Sequence, residues 1–211
     1  MILPAPSIIN LMLGVTLLIT ISMEVIDDFL PKRYQDELES VLLRHDFPWY
    51  YQPNITTGKP KVLDDQFKYS HGFTHQFYHQ EHGVQSSFYG LVQTLLHFVP
   101  QPYPIKGYYR LKANMTVPVQ GWNKDTVQEP HVDMPIDHLV CLYYVNDSDG
   151  DTFFFENYFE EKGEPESFKV LERVKPKKGR AVVFDGLRYH GSNCPIESQS
   201  RVIINAGMIV Q

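Results

Sequence analysis

The sequence predicts an α+β domain that is mainly β: a double-stranded β-helix, or jelly-roll, over about residues 105–211, supported by N-terminal helices. Three observations predict it. The 211 residues, 43% of them hydrophobic and 21% charged, suffice for one core and read as globular. Helical spacing of apolar residues dominates before the prolines at 100, 102 and 104. After them come about eight short β-rich runs separated by turn residues, the texture of an antiparallel sandwich.

Along the chain, EVIDDFL (24–30) reads as an extended entry. Pro31 suits the first turn of a helix, and Tyr34, Leu38, Val41 and Leu42 continue it to about Arg44. Residues 46–70 read as loop and short strands. VQSSFYGLVQTLLHFV (84–99) predicts an amphipathic helix, with Phe88, Leu91, Val92, Leu95, Leu96 and Val99 on one side. Strand-like runs follow: GYYRLKANMTV (107–117), HLVCLYYVN (138–146), TFFFE (152–156), SFKVLERV (167–174), RAVVFD (180–185) and RVIINAGMIV (201–210). The turn DSDGD (147–151) reads as the tip of a hairpin, and PKKG (176–179) as a tight turn.

The first 23 residues, MILPAPSIINLMLGVTLLITISM, carry no charged side chain. They are long enough to span a bilayer, though Asn10, Gly14, Thr16 and Thr20 dilute them. Neither a basic n-region nor a clear cleavage site marks a signal peptide. We read residues 1–22 as a hydrophobic extension, either a membrane anchor, dispensable sequence ahead of a start at Met23, or a segment packed on the domain, and 23–211 as a single domain. The expected location is cytoplasmic, with tethering through that extension as the alternative. Cys141 and Cys194 make no disulfide framework. The sequons at Asn54, Asn114 and Asn146 read as chance, Asn114 lying in an expected core strand. The net charge of −6, with no basic run, makes nucleic acid the last-ranked substrate.

The chemistry concentrates at HVD (131–133). On extended chain alternate side chains share a face, so His131 and Asp133 can point to one place. His190 follows RAVVFDGLRY near a strand end. Two imidazoles and one carboxylate leave three positions open on an octahedral ion, the facial triad of non-heme Fe(II) oxygenases. A structural zinc would close with four ligands. Arg201 opens an otherwise apolar strand, and a guanidinium there needs an anion, which it can grip through two parallel hydrogen bonds.

The order HVD, CLYYVN, GDT, PKKGRAVVFDG, His190, Arg201 resembles the 2-oxoglutarate- and Fe(II)-dependent dioxygenases, most of all their prolyl-4-hydroxylase-like branch. Small phage and bacterial members of that branch carry a strand similar to RLKAN (110–114). The likeness spans about residues 105–210. It implies His131, Asp133 and His190 as iron ligands and Arg201 as the anchor for the distal carboxylate of 2-oxoglutarate. It implies the Tyr144 hydroxyl as an aid to Arg201, with Asn114 and Thr152 as further cosubstrate contacts. O2 would be the second cosubstrate and ascorbate an accessory reductant. The implied reaction hydroxylates an unactivated C–H of a peptidyl, prolyl-like or small-molecule substrate and releases succinate and CO2. Before the triplet this chain has VPVQGWNKDTVQEP where many relatives carry a Tyr-x-x-Gly-type segment, so the substrate side of the pocket does not carry over. Two rivals remain from other classes: a jelly-roll binding module without redox chemistry, and a zinc hydrolase using the same three ligands.

HGFTHQFYHQEH (71–82) holds four of the nine histidines, at helical spacing. Yet Phe73, His75, Phe77 and His79 alternate with Thr74, Gln76 and Tyr78, and Gly72 and Gly83 bracket the run. This predicts a strand, with structural or substrate-facing histidines rather than the metal centre. His138 reads as a rim or core histidine, and His45 and His97 as helix-end residues.

Overall fold

A computed structural model describes residues 23–56, 67–100, 105–160, 163 and 165–210. The hydrophobic extension at 1–22 lies outside the described residues. Among those described, no helix is long and apolar enough to cross a membrane.

In chain order the elements are β1 (Glu24–Ile26), α1 (Lys32–Leu42), β2 (Tyr50–Gln52), β3 (Phe67–Lys68), β4 (Gly72–His79) and β5 (Gly83–Val84). Next come α2 (Tyr89–Gln93), a 3-10 turn (Thr94–Phe98), β6 (Ile105–Thr116), β7 (Val127–Gln128) and β8 (Leu139–Tyr144). The chain ends with β9 (Thr152–Tyr158), β10 (Val170–Val174), β11 (Ala181–Asp185), β12 (Arg188–Ser192) and β13 (Arg201–Val210).

The large sheet runs β1-β11-β8-β13-β6-β4-β2, with β5 added to β4, and the small sheet runs β10-β9-β12. From β8 onward the chain passes back and forth between the two sheets, β8 in the large, β9 and β10 in the small, β11 in the large, β12 in the small and β13 in the large, as in a jelly-roll, while β7 pairs with β3. The side-chain period of two explains the layers. In β8, Leu139, Cys141 and Tyr143 face the helices, while Val140, Leu142 and Tyr144 face the small sheet. In β13, Val202, Ile204, Ala206 and Met208 join the helix-side core. The central strands β8, β11 and β13 are therefore buried on both faces, while the edge strands β1, β2 and β5 are exposed. α1 supplies Leu38 and Leu42 to the helix-side core, α2 supplies Val92 and the following 3-10 turn Leu95.

Two expectations are corrected. Residues 84–99 do not form one helix: α2 has five residues and the next five are 3-10. Tertiary bonds take the first part. Val84 pairs with Tyr78, Gln85 donates to the Phe77 carbonyl, and Ser86 Oγ meets His75 Nε2 at 2.7 Å. The 147–151 turn is not a hairpin tip, because β8 and β9 lie in different sheets. It is a corner. Asp149 accepts backbone N–H groups of Ile196, Glu197 and Ser198 at 3.1, 2.8 and 3.0 Å, tying the corner to the loop before β13. The strands expected at 24–30, 71–82, 107–117, 138–146, 180–185 and 201–210 all form, some trimmed at their ends.

Candidate metal and anion site

His190 lies in β12, where residues 188, 190 and 192 alternate with Tyr189, which is buried on the other face in a small core with Phe67, Phe153 and Phe155. His131 precedes β8 and pairs with His190 alone, N–H to carbonyl in both directions at 2.9 and 3.0 Å. The HVD triplet is thus extended only at its first residue, and Asp133 reaches the same place from a bend. Gly191 permits the approach: a Cβ there would sit 2.7 Å from the Gln128 carbonyl.

The three sequence-predicted ligands converge. One ligand atom from each of His131, Asp133 and His190 lies within 4.8 Å of the others. The ring centres of the two histidines are 4.7 Å apart, and His190 Nε2 is 4.0 Å from Asp133 Oδ2. Each imidazole directs Nδ1 to a backbone carbonyl, that of Glu129 or Arg188, at 3.1 Å. Nδ1–H then donates and Nε2 keeps a free lone pair for a metal. Burial lowers the pKa of His131, and burial with the neighbouring His131 lowers His190 to about 4. Burial alone would raise the Asp133 carboxyl, but Arg110, His190, Lys112 and His131 together hold it well below the usual range. The set is two neutral imidazoles and one carboxylate, the protonation state a metal needs.

Asp133 is oriented by two groups that the motif reading did not single out. Arg110 Nη2 donates to its Oδ1 at 2.6 Å, and Asn205 Nδ2 to its Oδ2 at 2.9 Å. A signal was present in the sequence. Arg110, Lys112, Asn114 and Thr116 alternate with the apolar Tyr109, Leu111, Ala113 and Met115 along one central strand. Asn205 likewise interrupts apolar β13.

A pocket with about 500 Å³ of empty space, part of it open to solvent, joins this centre to Arg201. Asn114, Thr152, Lys112, Gln128, Ser192 and Asn205 line it. Arg201 is 3% exposed. Its Nη2 donates to Thr152 Oγ1 at 2.7 Å, and its Nε has no partner. Among the described residues it makes no ion pair within 4.0 Å, and burial lowers its pKa. The Tyr144 hydroxyl donates to the same Thr152 oxygen at 2.7 Å, and its ring centre lies 5.7 Å from the guanidinium. Tyr144 does not line the pocket itself, but its hydroxyl meets both Thr152 and Arg201. Asn114 Oδ1, Thr116 Oγ1 and Asn205 Oδ1 are buried without hydrogen-bond partners. Buried polar groups are normally paired, so this wall is built for a polar guest.

His75 does not join the site. It is 4% exposed, with Nδ1 2.8 Å from the Pro48 carbonyl and Nε2 on Ser86, both nitrogens occupied in the helix-side core. His79, Glu81 and His82 do cluster within 4.8 Å, at the surface turn between β4 and β5. His138 is buried against the Tyr109 ring, as a core histidine.

No family model matches the chain, and no curated protein matches it. Solved structures do. An oxidoreductase of the 2OG-Fe(II) oxygenase family from Burkholderia pseudomallei superposes with TM-score 0.57 at 12% identity, over 88% of this chain and 84% of that one. A Trichoplax adhaerens prolyl hydroxylase, in complex with a hypoxia inducible factor peptide fragment, gives 0.53 at 16%, over 89% and 83%. The epimerase SnoN, in complex with Fe3+, alpha ketoglutarate and nogalamycin RO, gives 0.57 at 10%, over 90% and 79%. At such identities the likeness speaks to the fold: the chain has the jelly-roll fold of the 2OG-Fe(II) oxygenases.

Proposed function

We propose that this protein is an Fe(II)- and 2-oxoglutarate-dependent oxygenase that hydroxylates an unactivated C–H of a peptidyl or small-molecule substrate. The observation that carries the reading is the pairing, in one pocket, of a His131–Asp133–His190 triad with the buried Arg201 guanidinium, which among the described residues makes no ion pair. Such a cation is costly unless a ligand supplies the charge.

The residues present fit both groups. His131, Asp133 and His190 would hold the metal by one face, leaving room for a chelating keto acid and O2. Arg201 would grip the distal carboxylate of 2-oxoglutarate, with Thr152 fixing its plane and Tyr144 fixing Thr152. Asn114 offers a buried amide oxygen beside the same path. Bound Fe(II) would couple O2 to oxidative decarboxylation of the keto acid, giving succinate, CO2 and a hydroxylated product. The chain's own share is to keep both imidazoles neutral, to aim Asp133 through Arg110 and Asn205, and to orient the cosubstrate in the cleft. A zinc hydrolase would need the same ligands, but it gives the buried Arg201 no task.

The test is succinate release with Fe(II), O2 and 2-oxoglutarate against a panel of peptides, amino acids and nucleic acids. Succinate should form with Fe(II), fail with Zn(II), and vanish in His131→Ala and Asp133→Ala. Activity restored by zinc instead would sink the reading.

A further inference from the structure

The charges at this site remain unbalanced after the proposed metal and cosubstrate are counted in. Arg110, Lys112 and Arg201 stand around a pocket lined by one carboxylate, Asp133; Asp151 also acts on Arg201 from outside it, but is already paired with Arg173. Fe(II) brings two positive charges, and the 2-oxoglutarate dianion offsets them. A surplus of positive charge remains in a cleft only partly open to solvent.

Two of the three cations have tasks. Arg110 is bonded to Asp133 Oδ1. Arg201 lies at the other end of the cleft, paired in register with Thr116. Lys112 has no bonded partner: its charge helps keep Asp133 ionised from a distance, but among the described residues it makes no ion pair and no hydrogen bond, and it lines the pocket. Its register partner is Asn205, so it stands level with the metal ligands. From Thr116 to Lys112 is four residues along β6, roughly 13 Å at strand rise. Both Asp133 oxygens already have a donor without it. A keto acid bound by its far carboxylate at Arg201 and its near end at the metal leaves no carboxylate over for Lys112. An ammonium held in such a place calls for an anion.

Resting on the oxygenase reading, we propose that Lys112 anchors the substrate, and that the substrate carries an anionic group, a carboxylate or a phosphate, held beside the metal on the β6 wall. The same lysine would disfavour substrates with a cation at that point.

The experiment uses Mn(II) in the metal site, saturating 2-oxoglutarate, and inorganic phosphate as the probe. Phosphate binding near the metal is read from paramagnetic relaxation of its 31P signal. Wild-type protein should show saturable relaxation. Lys112→Gln should weaken phosphate binding at least tenfold, and Lys112→Arg should keep most of it. No saturable relaxation in the wild type, or equal relaxation in Lys112→Gln, overturns the proposal. So does a Lys112→Gln protein that loses affinity for Mn(II) or 2-oxoglutarate instead, since the lysine then serves the metal centre or the cosubstrate. Calorimetry on the same samples separates the two readings: absent Mn(II) or 2-oxoglutarate binding in the wild type strikes the oxygenase assignment itself.

Discussion

Asp133 shows how much of the site lies in residues that never touch the metal position. Its oxygens are aimed by Arg110 from β6 and Asn205 from β13. Removing such outer partners commonly weakens metal affinity about 10–100-fold. Asn205→Ala is expected to do so, measured by Mn(II) calorimetry, with the fold retained. Arg201→Gln should leave metal affinity near normal and weaken 2-oxoglutarate binding by about 30-fold or more, since a buried charged partner is worth about 2–5 kcal/mol. His75→Ala should do the reverse of a ligand mutation: both cofactor affinities stay, and stability falls by about 1–3 kcal/mol from lost burial and hydrogen bonds. At this scale the convergence of His131, Asp133 and His190 was legible because metal chemistry limits residue type and spacing, and the oddity of Arg201 because a guanidinium stands out in an apolar strand. Arg110, Lys112 and Asn205 escaped the motif reading, because their meaning depends on the register of β6 against β13. Alternation along β6 shows their face but not what they meet.

Elements were legible where period and burial agree. The two-face pattern of β8 and β13 is visible as an apolar run of strand length, and the strand at 72–79 as alternation between glycines. The 84–99 segment misled because its apolar spacing is helical while its first residues are claimed by β4 and by Ser86. Local preference lost to tertiary bonds. The 147–151 corner misled because turn residues announce a reversal without saying whether the chain stays in its sheet. That corner also seats Arg201: a Cβ on Gly150 would lie 2.9 Å from Arg201 Cδ and 3.1 Å from the Asn193 carbonyl. Gly150→Val should therefore raise the 2-oxoglutarate Kd as well as lower stability. Asp149→Ala removes the acceptor of three backbone N–H groups. It should cost about 2 kcal/mol in urea unfolding.

For the whole molecule, the large sheet carries the helix-side core on one face and the site on the other, so stability and function share one scaffold. Burying neutral histidines couples them to pH. The unfolded chain protonates a histidine near 6.5, while folded His190 waits until about 4. Between those values the unfolded state binds more protons, so metal-free stability falls as pH drops through this window and is restored above it. The His190 contribution is about 3 kcal/mol when complete, and thermal melts of the apoprotein at pH 7 and pH 5 check the direction. Metal binding should raise the melting temperature at pH 7, and His190→Ala should abolish that rise.

The most direct measurement is the visible spectrum of the protein with Fe(II) and 2-oxoglutarate under strictly anaerobic conditions. Joint capture of a ferrous ion by His131, Asp133 and His190 and of the keto acid by Arg201 predicts a weak charge-transfer band. The band should be absent in Asp133→Ala and should require much more 2-oxoglutarate in Arg201→Gln. A well-folded wild-type protein that shows no band at saturating Fe(II) and keto acid would contradict it.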